Sequence, residues 1–154
     1  MSLTYVDPQE VVKSLLEDNW TKANTDDLEP EVDIIEDFEA KRYPMGLVNK
    51  SQIFIYAKTG SIENANGIGS QAKEVIEPVS IDLRIPKGTN LNKSHFYKVV
   101  GEIIRILDSN EKNPSDDFDY IDPEKTKLNL SNKKSSIWRE VIDIKLIRKN
   151  VPKT

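Results

Sequence analysis

Asp143 and Lys145 stand in the order Asp-x-Lys within an apolar, β-branched segment. On a strand that spacing places both side chains on one face. It is half of a metal-dependent nuclease signature, which needs an upstream carboxylate to share a divalent cation that keeps some of its waters. Asp119 and Asp122 are available for that part. An amphipathic strand with a wet face gives the same alternation of Asp and Lys with no chemistry attached. Gly67-Ile68-Gly69-Ser70-Gln71-Ala72 matches G-x-G-x-x-[GA]. A dinucleotide site needs a strand directly before those glycines and a helix directly after. Here a loop precedes them and strand-like residues follow, so a flexible loop is expected.

The other chemical groups are sparse. There is no cysteine, which removes disulfide frameworks, thiolate zinc sites, iron–sulfur clusters and cysteine nucleophiles. The single histidine, His95, has no second His for a relay or a metal site and reads as a surface or cap residue. Asp26, Asp27, Glu29, Glu31 and Asp33 form an acidic run, but its spacing is not that of an EF-hand and it lacks the turn glycine. A solvated acidic edge is expected there. Lys133, Lys134, Arg139, Lys145, Arg148, Lys149 and Lys153 form a basic tail able to meet phosphates. The interleaved aromatics of a single-strand binder are absent from it, and Trp138 alone is no platform. These readings assign no catalytic, cofactor-binding or metal-ligating residue, and the expectation is a protein that is not an enzyme.

The elements that would carry these residues follow from periodicity. At 154 residues, 37% apolar and 31% charged, with a mean hydropathy of −0.55, the chain suits one domain spanning 1–154. It has no apolar run of membrane-spanning length, and its first residues lack the basic and apolar parts of an export signal. Asp7-Pro8-Gln9-Glu10 starts a helix: Asp7 caps, Pro8 suits the first turn, and Glu10 completes a capping box. Val11, Val12, Leu15, Leu16 and Trp20 form its apolar face. Thr21 to Pro30 reads as a loop, and Val32–Phe38 as a strand too acidic to be central.

Ser51–Ala57 and Val75–Ile85 read as the two strands of a long hairpin, with an irregular tip over about 59–74. In the second of them Val79, Ile81, Leu83 and Ile85 point one way, and Ser80, Asp82 and Arg84 mark a wet face. Phe96, Val99, Val100, Ile103, Ile104 and Leu107 predict a helix over 92–108, with Lys98, Glu102, Arg105 and Asp108 on its wet side. Gly101 inside it suggests close packing. The connection over about 109–135 is polar and mainly irregular. Trp138–Ile147 closes the sheet, with Ile142, Ile144 and Leu146 inward. The fold class expected is α+β, a mainly antiparallel sheet with a long β-hairpin packed against two helices.

Charge is lopsided. Residues 1–40 carry −10, residues 41–124 carry −1 and residues 125–154 carry +7, within a net charge of −4. An acidic end and a basic end can steer one copy of a chain onto another.

This order of elements resembles the tail-terminator and tail-completion proteins at the neck of long-tailed viruses. The resemblance runs through the helix from Pro8 to Trp20, the hairpin Ile53–Ile85, the helix Lys93–Leu107 and the strand Trp138–Ile147. Its local cues are Val79-Ser80-Ile81-Asp82-Leu83, Glu102-Ile103-Ile104-Arg105-Ile106-Leu107 and Trp138-Arg139-Glu140-Val141. It implies a structural virion protein without catalytic residues. Such a subunit forms a homo-oligomeric ring, commonly a hexamer, that joins the tail tube to the head-neck connector. DNA would pass through without specific binding, and no membrane is involved. The protein would be assembled in the host cytoplasm and end in the virion.

On that reading Asp33, Glu36, Asp37 and Glu39 are candidates for an acidic lumen that repels phosphates, and Arg139, Lys145 and Arg148 for the basic side of an interface. Gly60, Asn64, Asn66, Gly67 and Gly69 belong to a candidate docking loop. Alternatives are another head-completion or tube protein of related fold, a metal-dependent nuclease, or a small interaction module.

Overall fold

The computed structural model describes residues 6–35, 50–58, 60–64, 72–88, 92–131 and 136–152. Glu36, Asp37, Glu39, Asn66, Gly67 and Gly69 lie outside the described residues.

Helix α1 spans Pro8–Asn19 and begins where its cap predicts: the Asp7 carboxylate accepts from Gln9 N at 2.9 Å, and proline fills the first position. Helix α2 spans Lys93–Ser109, capped by Asn92, which accepts from His95 N at 2.9 Å. The strands are β1 Glu31–Ile34, β2 Gln52–Ala57, β3 Ser61–Asn64, β4 Ala72–Pro86, β5 Lys112–Ser115, β6 Phe118–Ile121, β7 Thr126–Asn129 and β8 Ile137–Pro152. They form one sheet in the order β1-β2-β4-β8-β6-β5, with β3 also on β4 and β7 also on β8. Among the described residues only β1 against β2 is parallel, and the other pairs are antiparallel. The α+β class is therefore as expected, and β1 takes an edge.

The spine of the sheet is the ribbon of β4 and β8, paired from Ala72 opposite Pro152 to Pro86 opposite Ile137, with one register shift between Lys73 and Val75. Strands β2 and β3 lie end to end along the other edge of β4, β2 against Val79–Arg84 and β3 against Lys73–Ile76. The hairpin stands, but much of its expected irregular tip is ladder: Ser61–Asn64 and Ala72 onward are strand. The break between β2 and β3 falls at Gly60. A Cβ there would lie 2.7 Å from Ile76 O and 2.6 Å from Glu77 Oε2. Glycine is needed for close backbone approach, not for mobility.

One face of the sheet carries the core. Val79, Ile81, Leu83 and Ile85 pack with Ile53, Ile55, Ile142, Ile144 and Leu146 against Val12 and Leu16 of α1 and Phe96, Val99, Ile103 and Leu107 of α2. Hydrophobic burial at roughly 25 cal/mol per Å² makes this layer the main source of stability.

The opposite face corrects the alternation argument. Ser80, Asp82 and Arg84 were expected to be wet, yet all are buried, Asp82 and Arg84 to 1% exposure. Polarity marked a second face correctly but not whether that face is covered. The buried charges are tolerated because they satisfy one another. Asp82 accepts from Arg84 Nη2 at 3.0 Å and, in a two-pronged fork, from Arg139 Nε at 3.0 Å and Nη2 at 2.9 Å. Arg84 also lies 5.0 Å from the centre of the Phe54 ring.

Further expectations change. The connection over 109–135 contains β5, β6 and β7: β6 and β7 pair with β8, β5 pairs with β6, and Phe118 and Ile121 of β6 join the core. The loop after α1 contains a 3₁₀ turn at Lys22–Thr25. Glu102, placed on the wet side of α2, is 2% exposed, and Ile106 rather than Ile104 is fully buried. Gly101 is exposed with nothing near its missing Cβ, so it marks no close packing. Among the described residues, no helix is long and apolar enough to cross a membrane.

Candidate functional site

The predicted site residues separate into different environments. Asp33 is half-buried in β1, opposite Phe54 of β2. Arg139 is held by Asp82 and does not present a free charge. Arg148 is half-buried in β8, opposite Val75. Lys145 is exposed, opposite Pro78. Asn64 ends β3, opposite Lys73, and Gly60 sits at the break before β3. The interface and loop candidates thus spread along the ribbon instead of converging.

The Asp-x-Lys pair does gain company. Asp143 and Lys145 line a surface cavity of about 340 Å³ with Lys58, Asp122, Glu124 and Thr126. Asp122 reaches it because its N–H donates to Lys145 O at 2.9 Å. Asp143 is already engaged: Ser80 Oγ donates to it, and Lys58 Nζ lies 3.0 Å away. Asp119 is directed elsewhere, accepting from Lys149 N at 2.6 Å. Among the described residues, no three acidic or histidine side chains group as a cation site.

The acidic run is also committed to partners. Glu29 pairs with Lys22 at 3.6 Å, Glu31 with Lys50, and Asp26 with Lys98 at 3.0 Å and His95 Nδ1 at 3.2 Å. The hydrogen bonds from Lys98 and His95 hold the Asp26 carboxyl below its ordinary range. His95 is therefore buried against the 3₁₀ turn rather than at the surface, with no partner at Nε2.

Sequence reasoning missed a second cavity, also of about 340 Å³, beside the start of α2. Lys87, Lys93, Phe96, Tyr97, Asn129, Ser131 and Trp138 line it. Phe96 and Trp138 stack with centroids 5.9 Å apart and planes at 26°, and Phe96 and Tyr97 meet at 5.5 Å. Lys87 lies 4.6 Å from the centre of the Trp138 ring and Lys93 5.9 Å from that of Tyr97. Four stretches of chain contribute, so no local motif announces the cavity. Its one sequence signal is the adjacent pair Phe96-Tyr97 at a helix start.

Beside Trp138, and on the same face of β8, stands Glu140, 1% exposed. Its Oε2 has no partner and Lys127 is 3.8 Å from Oε1. Burial pushes its carboxyl above the ordinary range, against the weaker pull of Lys127. Comparison of the chain with models of known protein families and with curated proteins finds no match.

Proposed function

We propose that this protein is a structural ring subunit at the neck of a long-tailed virus, joining the tail tube to the head-neck connector around the DNA channel. The observation that carries this reading is the ribbon. The core cluster takes Val79–Ile85 from β4 and Ile142–Leu146 from β8. The rest of the ribbon, Ala72–Ile76 against Ile147–Pro152, runs on outside that cluster with β3 at its side. Such an arm carries exposed Ile62 and has little use in an isolated subunit, whereas a neighbour in a ring can cover it.

Charge supports the same arrangement. The acidic N-terminal segment, residues 1–40, includes edge strand β1, and the basic C-terminal segment supplies β8, on the other side of β4. Ring contacts are heterologous, joining one surface of a subunit to a different surface of the next. Opposite charge at the two suits that contact. Asp33, with Glu36, Asp37 and Glu39, would line the channel and repel phosphates; Lys145 and Arg148 would face the neighbouring subunit. The hairpin tip that carries Gly60 and Asn64 would dock on the tube or connector. Light scattering after size exclusion, with negative-stain imaging, tests this: closed rings are expected, loosening as salt screens the contacts. Monomers at all salt concentrations would refute it.

A second reading, a metal-dependent nuclease, is favoured by one observation: Asp122, Glu124, Asp143 and Lys145 share a cavity. Incubation with plasmid DNA and Mg²⁺ or Mn²⁺ separates the two readings, since a ring subunit leaves the plasmid intact.

A further inference from the structure

We infer that the cavity beside the start of α2 binds a nucleobase carrying a phosphate, either a free nucleotide or one unit of a single strand, without sequence preference. Its composition argues for this ligand. Two other surface cavities each carry three carboxylates: Asp122, Glu124 and Asp143 in one, Glu10, Asp18 and Asp117 in the other. No carboxylate is among the described residues lining this one, although the chain as a whole is acidic. Two lysines and three aromatic rings line it instead, with the polar groups of Asn129 and Ser131. Its volume suits a small ligand, and flat apolar walls with a few charged or polar groups fit a planar anion.

Each part has a use. Tyr97 is 45% exposed and offers a ring on which any base can stack. The ammonium groups of Lys93 and Lys87 now lie over the Tyr97 and Trp138 rings. Such contacts at exposed sites are weaker than the stacking of a base on an aromatic ring. A base can therefore take a lysine's place over a ring, and the displaced ammonium can turn to the phosphate. Lys93, at the first position of α2, also brings the positive end of the helix dipole to the cavity. Asn129 Oδ1 accepts from Ser131 N at 2.8 Å, which leaves the amide nitrogen as a donor for a base edge.

The inference is independent of ring formation, which light scattering reads separately. It is tested on the full chain by polarisation of a labelled single strand of about ten nucleotides, a length within the usual site sizes. Duplex of the same sequence, dAMP and deoxyribose 5-phosphate serve as competitors. Wild type is compared with Tyr97→Ala and Lys93→Gln, both at exposed positions, with circular dichroism confirming that each variant folds. Tyr97→Ala should weaken binding roughly 5- to 100-fold. Lys93→Gln should reduce the slope of log affinity against log salt by about 0.7. Competition by dAMP identifies a nucleotide site, and binding of the strand alone identifies a strand site; either supports the inference. Absence of binding, equal preference for duplex, equal competition by the base-free sugar phosphate, or unchanged affinity in Tyr97→Ala would overturn it.

Discussion

Replacing Glu102 with glutamine should destabilise the protein by about 1.5–2 kcal/mol at neutral pH. The Glu102 carboxylate ties α2 to the turn after α1. It accepts from Thr21 N at 2.6 Å, from Asn24 Nδ2 at 3.1 Å, and from the guanidinium of Arg105. Arg105 in turn donates to Asn19 O at 2.8 Å, closing the link to the end of α1. A hydrogen bond to a charged group contributes about 1.5–3 kcal/mol. Glutamine keeps an acceptor for Thr21 but loses the charge, and the exposed Arg105 and Asn24 recover water, so the lower part of that range applies. In a chain of this length that loss lowers the melting temperature by about 3–8 °C.

The pH dependence is the sharper test. Burial pushes the Glu102 carboxyl up, but the bonds from Arg105, Thr21 and Asn24 more than reverse this and hold it below its ordinary range. Its stabilisation is therefore complete above the ordinary glutamate range and is lost as pH falls through the lowered folded value. A protonated Glu102 resembles glutamine, so the difference between wild type and Glu102→Gln should shrink toward zero in acid. Urea unfolding across pH measures it. A deficit independent of pH, or none at neutrality, would refute the carboxylate's role as the tie.

Three other substitutions follow from the same geometry. Gly101→Ala should stabilise by about 0.5–1 kcal/mol in thermal or urea unfolding, because it improves helix propensity at an exposed site with nothing near the new methyl group. Gly60→Ala should destabilise by about 1–3 kcal/mol, since its methyl would press on Ile76 O and Glu77, and hydrogen exchange should quicken in β3 first. Glu140→Gln should stabilise by about 1 kcal/mol at neutral pH by removing a buried charge with an unpartnered oxygen. Because the folded Glu140 carboxyl titrates above its ordinary range, that gain should vanish in unfolding measurements below the ordinary range.

Local rules were legible where one element decides its own form. Asp7 and Pro8 place the start of α1, and the apolar spacing from Phe96 to Leu107 places α2. Ile142, Ile144 and Leu146 point inward as their alternation requires. Residues whose surroundings come from elsewhere were misread. Glu102 has the spacing of a wet position, but the turn at Lys22–Thr25 lies over it. His95 is drawn inward by Asp26, 69 positions earlier. Asp82 and Arg84 look solvated in an alternating strand until Arg139 is set beside them by the β4–β8 register. Strands β5 to β7 are four residues each, too short to show a periodicity, and form where β8 or β6 offers an edge to pair with. The cavity beside α2 was illegible for a similar reason: Lys87, Tyr97, Asn129 and Trp138 meet only in three dimensions.

The claim beneath the functional reading is that the ribbon of β4 and β8 exists to be gripped by another copy of the chain. Light scattering on the purified 154-residue chain tests it most directly. A discrete species of several times 17.6 kDa, seen as closed rings by electron microscopy, is the result expected. A species of 17.6 kDa at every concentration and salt tested would contradict it.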